Sequence, residues 1–202
     1  MFKLPRLLVL SATLPLLAVA ANTYAKDGTI TVTGKVVDET CTLTGGAGTD
    51  FKTKNITVPL KTVKKGVFTA QDKTAETTEF DLLLKNSSGS DVCDAVTNSG
   101  FKGIHITTAS TSDYLNNDAT ALINKANMAT NNNQIHPVYV RLLTEGNQLV
   151  DYTQDWGIQA ASPVKDVKSQ PKLTYKAQYY TETGTVDPQV VSAVVNYTLQ
   201  YN

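Results

Sequence analysis

Histidine and cysteine are scarce in this chain, two of each, and their scarcity removes most site chemistry from consideration. His105 lies between Ile104 and Ile106, so it should face out of a strand, and His136 precedes Pro137 at a strand entry. Neither lies near a cysteine, so no zinc spacing is formed. No serine stands in a G-x-S-x-G turn. Asp113, Asp118, Asp151 and Asp155 read as loop carboxylates whose spacing matches no calcium loop. No catalytic, cofactor-binding or metal site is expected, and the chain does not read as an enzyme with a small-molecule substrate. Excess positive charge is missing too: 18 basic residues meet 18 acidic ones. Without a basic stripe to neutralise phosphates, nucleic-acid binding is excluded. Long amphipathic helices and internal repeats are also lacking.

Beyond residue 20 no apolar run is long enough to cross a bilayer. Residues 1–25 have their own character. Lys3 and Arg6 precede an apolar run from Leu7 to Ala20, and small residues follow up to Thr23-Tyr24-Ala25. This is the plan of a secretory signal peptide cleaved after Ala25. Pro15, Ser11, Thr13 and the run's short length weaken the alternative of a membrane anchor. Removing Lys3 and Arg6 leaves 16 basic against 18 acidic residues, about −2. The remaining 177 of 202 residues suffice for one domain with a core. Export bears on Cys41 and Cys93, for which one disulfide is the expected state. Two buried thiols or a metal pair are the alternatives.

What the chain has in quantity is alternation. Gly28 to Val37 places Ile30, Val32, Gly34 and Val36 on one side of a strand and Thr29, Thr31, Thr33 and Lys35 on the other. Val190 to Tyr201 aligns Val191, Ala193, Val195, Tyr197, Leu199 and Tyr201. Strand-like tips at both ends suit pairing with other chains. Between them, strands are expected at Asn55–Leu60, Glu79–Lys85, Lys102–Thr107, Val138–Leu143, Leu149–Tyr152 and Leu173–Tyr180. Val63, Val67 and Phe68 should anchor the Lys/Thr-rich stretch 61–78. Ser110 to Asn133 reads as a polar surface excursion with a weak helical patch at Ala119–Met128, and Trp156 to Gln170 as irregular. Short strands without long helices argue an all-β, antiparallel immunoglobulin-like sandwich, with Tyr175, Tyr179, Tyr197 and Leu199 in or near its core. Asn55-Ile56-Thr57 and Asn196-Tyr197-Thr198 match the glycosylation sequon, but inside strands they read as accidental.

Three stretches together carry a resemblance: GTITVTGKVVDETC at 28–41, Phe80 to Asn86 leading toward Cys93, and Ala177 to Tyr180 with Val194 to Asn202, including the penultimate Tyr201. The chain resembles the type 1-like pilin subunits of chaperone–usher fimbriae. Two departures stand out. Ser87 to Val92 separate Lys85-Asn86 from the second cysteine, which usually follows at once, and Gln189 occupies a position where many relatives carry glycine. The resemblance implies an incomplete immunoglobulin-like sandwich, residues 39–202, completed by a donated N-terminal strand within residues 26–38. It implies Gly28, Ile30, Val32, Gly34 and Val36 as the donor face and Val195, Tyr197, Leu199 and Tyr201 as the groove edge. The partners it implies are further copies of this chain and related pilins, a periplasmic chaperone and an outer-membrane usher, with export to the cell surface. Insertion of 29–37 into its own sandwich, or an ordinary first strand, are the competing readings of that segment. A shaft subunit is the expected role, with a minor adaptor as the alternative.

Overall fold

The computed structural model describes residues 41–126 and 136–201. The segments expected to be a signal peptide and a donor strand, with Gly28, Ile30, Val32, Gly34 and Val36, lie outside the described residues.

Two long strands form the frame. β2 (Lys73–Lys85) and β8 (Gln170–Thr181) pair antiparallel; the second half of β2 alternates as a half-buried strand must, whereas β8, between β2 and β6, carries buried residues on both faces. Phe80, Leu82 and Leu84 of β2 and Leu173, Tyr175 and Ala177 of β8 supply the inner face, with Phe80 opposite Tyr175 and their rings 6.3 Å apart. A bulge between Ala75 and Thr77, with Glu76 at φ 49°, bends the outer end of β2. β1 (Thr42–Gly45) adds to β2. Beyond β8 come β6 (Tyr139–Thr144), β5 (Asp118–Leu122) and β4 (Tyr114–Leu115), and the short β7 (Lys165–Val167) pairs with the start of β8.

The second sheet, among the described residues, has two strands: β3 (Phe101–Thr107) and β9 (Asn196–Tyr201). Ile104 faces Leu199 and Ile106 faces Tyr197 across this ladder. A single cluster joins the layers, including Leu43, Phe80, Leu82, Leu84, Ile104, Ile106, Leu122, Val140, Leu142, Leu173 and Tyr175. The helix α1 (Ala95–Gly100) turns the chain into β3 and is capped by Asp94, whose carboxylate accepts from the Thr97 amide at 2.9 Å. Cys41 and Cys93 form the disulfide, with Cα atoms 5.9 Å apart. It ties the start of β1 to the residue before that cap.

Several expectations are corrected. Asn55–Leu60 joins no ladder, and the chain bends at Asn55. The described part of the expected surface excursion Ser110–Asn133, residues 110–126, contains β4 and β5, with Ala121 and Leu122 buried where helix was expected. Leu149 makes one isolated bridge to Leu143 in place of a strand to Tyr152. The irregular stretch 156–170 holds β7. Phe68 is buried as an anchor, whereas Val67 is exposed. Asp118 opens β5 and pairs with Arg141; it is not a loop carboxylate.

Candidate strand-acceptor groove

The C-terminal strand is only half a strand by hydrogen bonding. β9 pairs with β3 from Asn196 onward, whereas Val190–Val195 runs ahead of the ladder. Its alternation continues all the same. Val191, Ala193, Val195, Tyr197 and Leu199 are half-buried and pack on the core, while Val190 and Val194 on the other face are 76% and 64% exposed. Tyr201 ends the row 42% exposed, its ring 5.7 Å from that of Phe101.

Facing this row is a second one. Ile56, Val58 and Leu60 are also half-buried against the core. The two segments exchange no backbone hydrogen bond among the described residues. A tyrosine hydroxyl joins them instead: that of Tyr197 donates to the Lys54 carbonyl at 3.1 Å. At the other end of the 56–60 row the Tyr179 hydroxyl, from β8, donates to the Lys61 carbonyl at 3.3 Å. Paired strands would lie ~4.8 Å apart, whereas the Tyr197 link runs through a whole side chain. Burial pushes the Tyr197 and Tyr201 hydroxyls up from the ordinary phenol range, so both stay neutral donors.

Val58, Leu60, Val191 and Ala193 make no backbone–backbone hydrogen bond among the described residues. Apolar side chains aimed at a core, next to unpaired backbone, form a sheet edge that can accept a strand. At the leading end of the row lies a cavity of about 320 Å³, lined by Val63, Phe68, Val138, Tyr179, Val186 and Val191 among others.

Side-chain amides hold this edge in place. Asn124, 3% exposed, donates to the Val190 carbonyl (2.7 Å) and to Gln189 Oε1 (3.1 Å), and accepts from the Ser192 amide (3.0 Å). Gln189 Oε1 also accepts from the Val138 amide, and its Nε2 donates to the His136 and Asp187 carbonyls. The residue that departs from the related pilins is therefore a pin at the start of the groove edge. Asn124 was missed in the sequence, where it stands in a polar stretch without periodicity.

No chemistry competes with this reading among the described residues. The cluster Cys41, Cys93 and Asp94 has both sulfurs in the disulfide. His105 Nε2 is 3.0 Å from the Gln154 carbonyl, on the outer face of β3.

The chain is 32% identical over 190 residues to the F17 fimbrial protein of Escherichia coli, spanning 93% of this chain and 96% of that one. It belongs to the family of chaperone–usher fimbrial subunits. A second relative, the major fimbrial subunit SMF-1 of Stenotrophomonas maltophilia, is 32% identical over 91% of this chain and 96% of its own. The minor fimbrial subunit HifD of Haemophilus influenzae is 29% identical over the whole of this chain and 84% of its own. Among solved structures, the P pilus rod subunit PapA matches the fold with a TM-score of 0.54 at 17% identity, over 86% of this chain and all of that one. No family model matches the chain. This pilin has the incomplete immunoglobulin-like fold, and like its fimbrial relatives it is a structural protein and not an enzyme.

Proposed function

We propose that this pilin is a structural subunit of an extracellular fimbrial shaft and that it polymerises by strand donation. The segment Thr29–Val37 of one copy enters the groove of the next, displacing a periplasmic chaperone that holds the groove beforehand, with an outer-membrane usher as the exit. The observation that carries this reading is the half-buried row Val191–Leu199 facing Ile56, Val58 and Leu60, with no backbone–backbone hydrogen bond at Val58, Leu60, Val191 or Ala193 among the described residues.

Magnitudes decide whether donation can proceed. Ile30, Val32 and Val36 contribute roughly 1.5–3 kcal/mol each when fully buried. Ladder hydrogen bonds add about 1 kcal/mol net each. Ordering a free tail costs ~1–2 kcal/mol per residue. Nine ordered residues nearly cancel the gain, so donation succeeds only into an edge that is already formed. The Asn124–Gln189 clamp supplies that edge. Because a donated strand joins unlike surfaces, the contact is head-to-tail and does not close, and an open fibre results.

The test is Val32→Asp. The variant should fold, be captured by the chaperone and fail to extend a fibre. A normal yield of fibres from Val32→Asp would refute donation. The similarity to a minor subunit supports a second reading, an adaptor near the fibre tip. Subunit abundance in purified fimbriae separates the two: a shaft subunit dominates the preparation, an adaptor is rare.

A further inference from the structure

We propose that the Gln159 side chain closes the free edge of β3, so that strands add to the second sheet only on the β9 side and fibres grow unbranched. A two-stranded sheet has two edges, and a chain that assembles by strand addition is exposed to misassembly at the wrong one. The proposal rests on the donation reading above.

Ile106 locates the edge. It faces Tyr197 across the β3–β9 ladder. Opposed residues in an antiparallel pair alternate between exchanging both their hydrogen bonds and exchanging none. Ile106 is of the second kind, since both its backbone groups are taken elsewhere. Its N–H donates to Gln159 Oε1 at 2.9 Å, and its carbonyl accepts from Gln159 Nε2 at 2.8 Å. The side-chain amide thus presents the donor and acceptor that an added strand would present. Nε2 donates as well to the Asp151 carbonyl at 2.8 Å, and Gln159 is 6% exposed, so the cap is built in and water is kept off it.

The rest of β3 is blunted by the same loop. His105 is bonded to the Gln154 carbonyl. A bulge falls between Phe101 and Gly103. Gly103 has φ +136°, and the Trp156 ring lies 3.3 Å from where a Cβ would stand, so the indole covers that position. The β9 side differs: beyond its ladder to β3, no group bonds the backbone of Asn196–Tyr201 among the described residues.

The experiment images fibres assembled in cells from full-length Gln159→Leu and Gln159→Lys chains. Gln159→Leu keeps bulk but cannot cap, so single unbranched fibres should give way to branched or side-paired ones. Gln159→Lys also loses the cap, yet its charge repels an incoming strand, so single fibres should return although the subunit melts lower. Unbranched Gln159→Leu fibres overturn the proposal. Equal branching in both variants overturns it too, because Gln159 would then only hold its loop. Should neither variant fold, hydrogen exchange on the wild-type fibre decides: the Ile106 amide should be as slow as core amides, and exchange as fast as an unpaired edge amide sinks the idea. If Val32→Asp still makes fibres, donation fails, while the Ile106 exchange measurement still reads the cap itself.

Discussion

Asn124 shows how much of the groove depends on one side chain. Truncation to alanine leaves the Ser192 amide and the Val190 carbonyl without their partner. Both groups belong to exposed residues, so water takes up part of the loss; at about 1 kcal/mol net per bond, Asn124→Ala should lose ~1–2 kcal/mol in urea unfolding of the full chain. Asn124→Asp keeps the acceptor but sets a buried carboxylate against the Val190 carbonyl and Gln189 Oε1, so it should lose at least as much. A smaller loss would mean that those two contacts do not hold the edge. Acid acts on different residues. The Lys125 ammonium beside Asp113, helped by the Ser110 amide, holds that carboxyl below the ordinary range. At Asp118 burial pushes upward, but the Thr120 hydroxyl and Arg141 outweigh it and the net shift is down. The Thr57 backbone amide holds Asp50 down at about 2. A carboxyl depressed in the folded state stabilises above its unfolded value of roughly 3.9 and loses that contribution as pH falls through the folded value. The carboxylate contribution should therefore be level from about pH 8 to 5 and fall below ~4. Thermal unfolding against pH checks this, and Asp113→Asn should flatten part of the acid limb. A limb unchanged in that variant would remove Asp113 from the account.

At the scale of elements, the groove edge has a kinetic signature. Amides of Val58, Val191 and Ala193, which make no backbone bond among the described residues, should exchange quickly in the free subunit and slow in the fibre. His105 and Leu143, whose amides point into the ladders to β9 and β8, serve as slow references. No slowing at Val191 and Ala193 on assembly would mean that no strand had joined there. The same segments mark what a sequence can convey. Alternation at Phe80–Leu84, Ile104–Ile106 and Tyr197–Leu199 was legible because each strand buries one face, and at Leu173–Ala177 because the buried residues of the other face, Thr174 and Gln178, are polar. At Ile56, Val58 and Leu60 it told which face is buried but not whether the strand is paired, since pairing depends on a neighbour. β5 was illegible because both its faces are covered: Leu122 joins the main core and Ala121 packs with Tyr139 and Tyr180, which erases the period of two. α1 spans six residues, too few for a helical period. Gln159 and Asn124 work through hydrogen bonds to distant backbone, and no local pattern encodes those.

For the whole molecule, the disulfide decides how a fibre carries load. In a strand-donation fibre, tension enters each subunit along the segment just before Cys41. From Cys41 two routes are open: along β1, which has a four-residue ladder to β2, or through sulfur to Cys93, α1 and β3. The covalent route bypasses the 52-residue separation between the cysteines, a span that includes the groove row Ile56–Leu60. With the bridge intact, a pulled subunit cannot pay out that span. The double variant Cys41→Ser/Cys93→Ser should lose stability on the order of 2–5 kcal/mol and reach lower levels in the periplasm. Fibres it does form should yield at lower force. Each unfolding event should also lengthen the fibre by an additional 170–190 Å, roughly, from extended-chain reach. Single-fibre stretching under oxidising conditions measures both quantities. An unchanged contour length per event would show that tension does not enter at Cys41, and strand donation from the preceding segment would fall with it.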